Sequence, residues 1–272
     1  MDLAETGMDR AYQEDLQRLR GFRLMDDDFL TKCFEGDLAC MELVLRIVME
    51  MPDLRVHEVH TQVFVENLLN RSVRLDILAT DSDGRKINVE IQRADRGAGR
   101  KLARYNSSMM DANLLRKGEN FDELPETWVI FITEHDVMEL GLPLYHIDRV
   151  IAETGGLFDD GTHILYVNGE YRDDSPVGKL MHDFSCTNPG DMYYGVLADR
   201  VRFFKESKEG VAIMCRVMEE MRNQSLEAGR KEAMKATAFR MLVSGRYAYD
   251  EIAEISGLPL EEVLTLSENK TA

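Results

Sequence analysis

The segment from Val73 to Gln92 limits the fold more than any other part of this chain. Apolar and polar residues alternate through Val73-Arg74-Leu75-Asp76-Ile77 and again through Ile87-Asn88-Val89-Glu90-Ile91-Gln92, the period-two pattern of strands. Between them, Ser82-Asp83-Gly84 fits a three-residue hairpin loop with glycine at its left-handed position. That turn fixes a register: Asp81 with Arg85, Thr80 with Lys86, Leu78 with Asn88, Asp76 with Glu90, and Arg74 with Gln92. Each strand then buries an apolar face and presents polar groups on the other.

The register sets the carboxylates of Asp76 and Glu90 opposite each other, with Cβ atoms roughly 5 Å apart, a pairing that destabilises a sheet when both are charged. A divalent cation between them resolves the repulsion, and Mg²⁺ suits the task because it takes few protein carboxylates and keeps its waters. Gln92 lies two residues beyond Glu90 on the same face, in place to orient an attacking water. On spacing alone a second reading stays open: a solvated hairpin face whose acids are relieved by Arg74 or Lys86.

The surrounding pattern predicts an α/β fold. Helical spacing runs to about Glu50, followed by a strand over residues 57–66 and the hairpin. A helix is expected over residues 99–117, then a strand in the apolar run ETWVIFITEHD, and further strands in YHIDRVIAET and THILYVNG. Beyond Ser175 the pattern is helical throughout, which divides the chain into an N-terminal helical segment (1–25), a core (26–174) and a helical extension (175–272). The tail EIAEISGLPLEEVLTL resembles a helix-turn-helix, but Glu261 and Glu262 on its second helix suit packing or self-association better than groove reading.

Charge narrows the function. Thirty-three basic residues against fifty acidic ones give a net charge of −17, which repels a phosphate polymer over most of the surface. The stretch from Arg85 to Lys117 is the exception, with nine basic residues, Arg96 among them, against Glu90, Asp95 and Asp111. Arg93, Arg100, Lys101 and Arg104 follow the acidic pair directly, where they would hold phosphates. No apolar run reaches membrane-spanning length and the start lacks a signal-peptide pattern, so a cytoplasmic protein without membrane partners is expected. The four cysteines form no CxxC pair and no zinc-ligand spacing with histidine is expected, so neither structural zinc nor a disulfide framework is anticipated and they are expected to be reduced, mostly buried thiols. No GxSxG elbow, Walker A loop or GxGxxG fingerprint occurs.

The sequence resembles the PD-(D/E)XK nuclease superfamily, and within it the recombination-promoting nuclease and transposase family. The likeness is carried by Asp26-Asp27-Asp28-Phe29, Leu75-Asp76-Ile77, Asp83-Gly84, the strand Ile87 to Gln92, Arg104-Tyr105, Trp128 to Ile132, and Gly178 to Phe184. It implies a restriction-endonuclease-like mixed sheet flanked by helices and an Mg²⁺-dependent endonuclease, with Mn²⁺ as a substitute ion. Its substrate would be DNA, with RNA as the alternative, in the service of recombination or mobile elements. It further implies that Asp76, Glu90 and the backbone carbonyl of Ile91 bind the metal, with Gln92 at the superfamily's lysine position. An acid from an early helix often joins the metal site in that superfamily, and Glu42 is the candidate for it here. Glutamine departs from the superfamily's lysine, because a neutral amide positions a water without offsetting charge on a phosphate. A nuclease-fold protein that binds partners without turnover is the alternative function, and homo-oligomerisation through the C-terminal helices is a further expectation.

Overall fold

The computed structural model describes residues 3–67, 71–93 and 98–268, so Asp95 and Arg96 of the basic stretch lie outside the described residues. Two compact units are present, residues 1–211 and 212–272. The first is built on six strands: β1 (Val56–Val65), β2 (Val73–Asp81), β3 (Lys86–Gln92), β4 (Thr127–Thr133), β5 (Leu144–Ile147) and β6 (Thr162–Asn168). They lie in the order β1-β2-β3-β4-β6-β5. β1, β2 and β3 are antiparallel neighbours, whereas β4 runs parallel to both β3 and β6. Every residue of β4 is buried, as an unbroken apolar run in the middle of a doubly covered sheet requires.

Helices α1 (Leu3–Gly21), α2 (Asp27–Phe34) and α3 (Leu38–Val48) precede the sheet, and α4 (Arg100–Leu114) follows β3. Asp37 caps α3 by accepting from the Cys40 N–H at 2.9 Å. From α4, Ala103, Met109 and Met110 pack with Val73 and Leu75 of β2, Val129 and Phe131 of β4, and Tyr166 of β6. Ile130 and Ile132 alternate with these β4 residues and are fully buried on the other face. The mixed sheet flanked by helices is the restriction-endonuclease-like architecture expected from the sequence. Helices α5 (Pro176–Ser185) and α6 (Gly195–Glu206) belong to this unit and approach α3.

The hairpin turn forms as anticipated: Asp81 N–H donates to the Arg85 carbonyl, Gly84 has φ +84°, and Leu78 and Thr80 pair with Asn88 and Lys86. Two expectations are corrected. The strand in YHIDRVIAET ends at Ile147, because Asp148 turns to meet His163 at 2.6 Å and the chain reverses through Gly155-Gly156. The polar face of the hairpin is also not solvated at its inner end: Asn88 is fully buried and Glu90 is 5% exposed.

In the second unit, the C-terminal part of the long helix α7 (Lys208–Ser244) packs with α8 (Tyr249–Ser256) and α9 (Leu260–Glu268). Ala238, Leu242, Ile252, Leu258 and Val263 form its core, and Gly257 closes α8 in a left-handed cap. Glu262 of α9 pairs with Lys231 and Lys235 of α7. Glu262 is thereby tied to α7, while Glu261 is exposed.

Gly169 marks the end of β6, where its N–H donates to the Thr133 carbonyl and a Cβ would stand 2.2 Å from that oxygen and 2.4 Å from Met25 Cε. Gly169→Ala is expected to lower stability by about 1–3 kcal/mol in urea denaturation, the usual cost of overpacking. An unchanged midpoint would show that the β4–β6 end tolerates the extra methyl.

Candidate functional site

The β2–β3 ladder stops at Ile77 opposite Val89, one rung short of Asp76 and Glu90. Leu75 and Leu78 both line one apolar cavity beside Met110 of α4, although three residues of regular strand would point them to opposite faces. β2 therefore changes face around Asp76. On β1, the residue between the flanking pairs Thr61–Ile77 and Val63–Leu75 is Gln62, with φ +55°. The expected rungs at Asp76–Glu90 and Arg74–Gln92 are replaced by a parting of the strands, while β3 remains paired with β4 through Gln92.

Side chains fill the gap. Asp76 Oδ2 accepts from the Ile91 N–H at 3.1 Å, so the Ile91 amide serves the acid pair. Glu90 Oε1 accepts from Asn88 Nδ2 at 3.0 Å and Asn106 Nδ2 at 3.4 Å. The two carboxyl groups lie close enough to share a hydrogen bond. Burial, then the nearby Asp27 carboxylate, pushes Asp76 up to about 6. Burial, then Asp76, pushes Glu90 up to about 8. Asp27 itself is raised by its own burial and by Asp28.

Both acids lie at the floor of a cleft of about 900 Å³ whose walls include Arg71, Arg74, Gln92, Lys101, Arg104 and Asn106. Of the residues expected at the site, Asp76, Glu90, Gln92, Lys101 and Arg104 are brought together. Arg100 is turned away and donates to Met138 Sδ at 3.7 Å, in a different small cavity. Arg93 pairs with Asp26 at 2.9 Å and with Glu134 at 4.0 Å. Glu42 does not reach the pair. It binds Arg46, Arg55 and the Val56 N–H, and Val56 lies opposite Asp81, five residues along β2 from Asp76, or roughly 17 Å of strand. Asp27, at the start of α2, is the early-helix acid whose charge reaches Asp76.

Three contributors escaped sequence reasoning. Asp27 stood in the quoted Asp26-Asp27-Asp28 run without a signal to prefer it to Glu42. Asn88 was readable in part, since it precedes Glu90 by two residues and shares its face. Asn106 depends on where α4 docks.

The donor set suits a hard divalent ion. Carboxylate oxygens dominate it, and the buried Oδ1 atoms of Asn88 and Asn106 have no hydrogen-bond partner among the described residues. Buried like charges held only by amides are the environment a cation relieves.

Residues 54–170 match the family model of the PD-(D/E)XK nuclease family transposases, and this segment contains the whole hairpin, α4 and all six strands. The resemblance read from the sequence therefore holds for the segment that carries the site. No curated protein and no solved structure matches the chain.

A carboxyl group with a raised folded-state pKa keeps its proton more firmly in the folded chain than in the unfolded one. Its contribution to stability is full below the ordinary carboxylate range and disappears as pH rises through the raised values. Without divalent ions, wild-type protein is expected to lose roughly 1–4 kcal/mol relative to Glu90→Gln between about pH 5 and about pH 9. Parallel denaturation series measure this. A gap that stays constant with pH would contradict the buried, proton-sharing pair.

Proposed function

We propose that the protein is a metal-dependent endonuclease that hydrolyses phosphodiester bonds in DNA. The observation that carries this reading is the buried Asp76–Glu90 pair at the floor of a basic cleft, in a chain of net charge −17. The family match supplies the nucleic-acid context.

Asp76 and Glu90 would hold the ion, Mg²⁺ or Mn²⁺, with Asp27 adding negative charge beside them. When bound, such an ion supplies charge for the scissile phosphate and acidity for a coordinated water. Lys101 and Arg104, one turn apart on α4, receive the phosphate backbone at the cleft wall. Gln92 orients the attacking water by its amide. Asn88 and Asn106 keep the Glu90 carboxylate in one orientation through their donated hydrogen bonds. Because Gln92 brings no positive charge, stabilisation of the developing phosphorane charge falls to Arg104 and Lys101.

Mg²⁺-dependent nicking of supercoiled plasmid is expected from the wild type. Asp76→Ala and Glu90→Ala should each reduce it by about 10²-fold or more. Arg104→Ala should weaken substrate binding and flatten its salt dependence. Nicking that persists unchanged in Asp76→Ala or Glu90→Ala, with the fold checked by circular dichroism, rejects the assignment. Digestion of RNA in preference to DNA would move the substrate class and keep the chemistry.

A further inference from the structure

We propose that His182, Asp183 and Cys186 form a second metal site, distinct from the hairpin pair and suited to Zn²⁺. His182 and Cys186 stand four residues apart at the carboxyl end of α5, one turn above the other on a single helix face. The expectation of plain reduced thiols is corrected here, because His182 and Cys186 stand at His-x₃-Cys spacing. Asp183 lies between them in sequence and is fully buried.

The distances suit one ion. His182 Nδ1 is 3.3 Å from Asp183 Oδ1 and 3.5 Å from Cys186 Sγ, and the three ligand atoms all lie within 4.8 Å of one another. Zinc bonds of about 2.0–2.1 Å to nitrogen or oxygen and about 2.3 Å to sulfur, set tetrahedrally, put such neighbours roughly 3.3–3.6 Å apart. The two His182 distances match this spacing, and a carboxylate oxygen of Asp183 and Cys186 Sγ, within 4.8 Å of each other, close on the ion by side-chain rotation. Sγ is nearly equidistant from the two ring nitrogens, 3.5 and 3.8 Å, so the imidazole must rotate about Cβ–Cγ to aim Nδ1 at the ion. The thiol releases its proton to solvent on binding.

Asp183 is held ready for this role. Its Oδ1 accepts from the Tyr193 N–H at 2.7 Å and its Oδ2 from the Tyr194 N–H at 2.8 Å, leaving further lone pairs on both oxygens. Fixing a ligand through outer hydrogen bonds is how metal sites set orientation. A carboxylate that only tied down the Tyr193-Tyr194 loop would need neither an imidazole nor a thiol at its side. A cavity of about 280 Å³ lined by Arg172, Asp174, His182 and Tyr193 adjoins the imidazole and gives water access to that side of the cluster. Nitrogen and sulfur donors select a softer ion than the all-oxygen hairpin, so the two sites load independently.

The full chain, stripped by chelator, is titrated with Zn²⁺ against a chromogenic chelator and separately with Co²⁺ followed by absorption. One tightly held Zn²⁺ is expected, retained in the Asp76→Asn/Glu90→Gln double variant. It should be weakened at least about tenfold in His182→Asn or Cys186→Ser, since losing even an outer partner of a metal ligand costs that much. Co²⁺ should give a thiolate charge-transfer band that Cys186→Ser abolishes. His182 is partly exposed, so His182→Asn tests the site even where Cys186→Ser fails to fold. Absence of a tight site, or affinity that survives both single substitutions, overturns the proposal. So does affinity that disappears only with the hairpin variant. The nicking assay is read separately and stands or falls on Asp76 and Glu90.

Discussion

Two carboxyl groups, each less than a tenth exposed, touch in the interior of this protein, and the surrounding structure is arranged to make that tolerable. Burying like charges in contact costs several kcal/mol unless a proton, a donor or a cation intervenes. Here a backbone amide serves Asp76 and two asparagines serve Glu90. The parting of β2 from β3 follows from the same requirement. A continued ladder would have spent the Ile91 amide on strand pairing, whereas the break turns it to Asp76. β3 stays in place because β4 holds it along its whole length.

The distribution of positive charge follows a related logic. Two cations of the basic stretch after the hairpin turn are neutralised internally: Arg85 reaches Asp81, Asp83 and Glu126, and Arg93 reaches Asp26 and Glu134. These ion pairs fasten strand ends and loops. Arg71, Arg74, Lys101 and Arg104 line the cleft over the acids. In a strongly negative chain these four cations are gathered at the cleft that holds the acids, so the local potential there is less negative than the net charge implies.

Particular residues show how far the sequence could be read. The turn, the register at Leu78–Asn88 and Thr80–Lys86, and the buried β4 followed from local chemistry: a left-handed glycine, a two-residue period and an apolar run. The choice of Glu42 failed because a helix near the hairpin in sequence need not approach the same end of a strand. Glu42 meets the Val56 end, and Asp27 is the helical acid near Asp76. Arg100 and Arg104 looked equivalent in a basic run and share a helix face, yet Arg100, one turn nearer the start of α4, reaches Met138 while Arg104 lines the cleft.

The order of the amino acids by itself determined most of the secondary elements and the hairpin register from the turn to Ile77–Val89, because turns and pleats are short-range geometry. Only the tertiary structure decided that the polar face would be buried, that β2 would change face at Asp76, and that Asn106 and Asp27 would join the pair. Those outcomes depend on where α2 and α4 dock, and docking is settled by the summed burial of side chains distant in the chain, which no local period encodes.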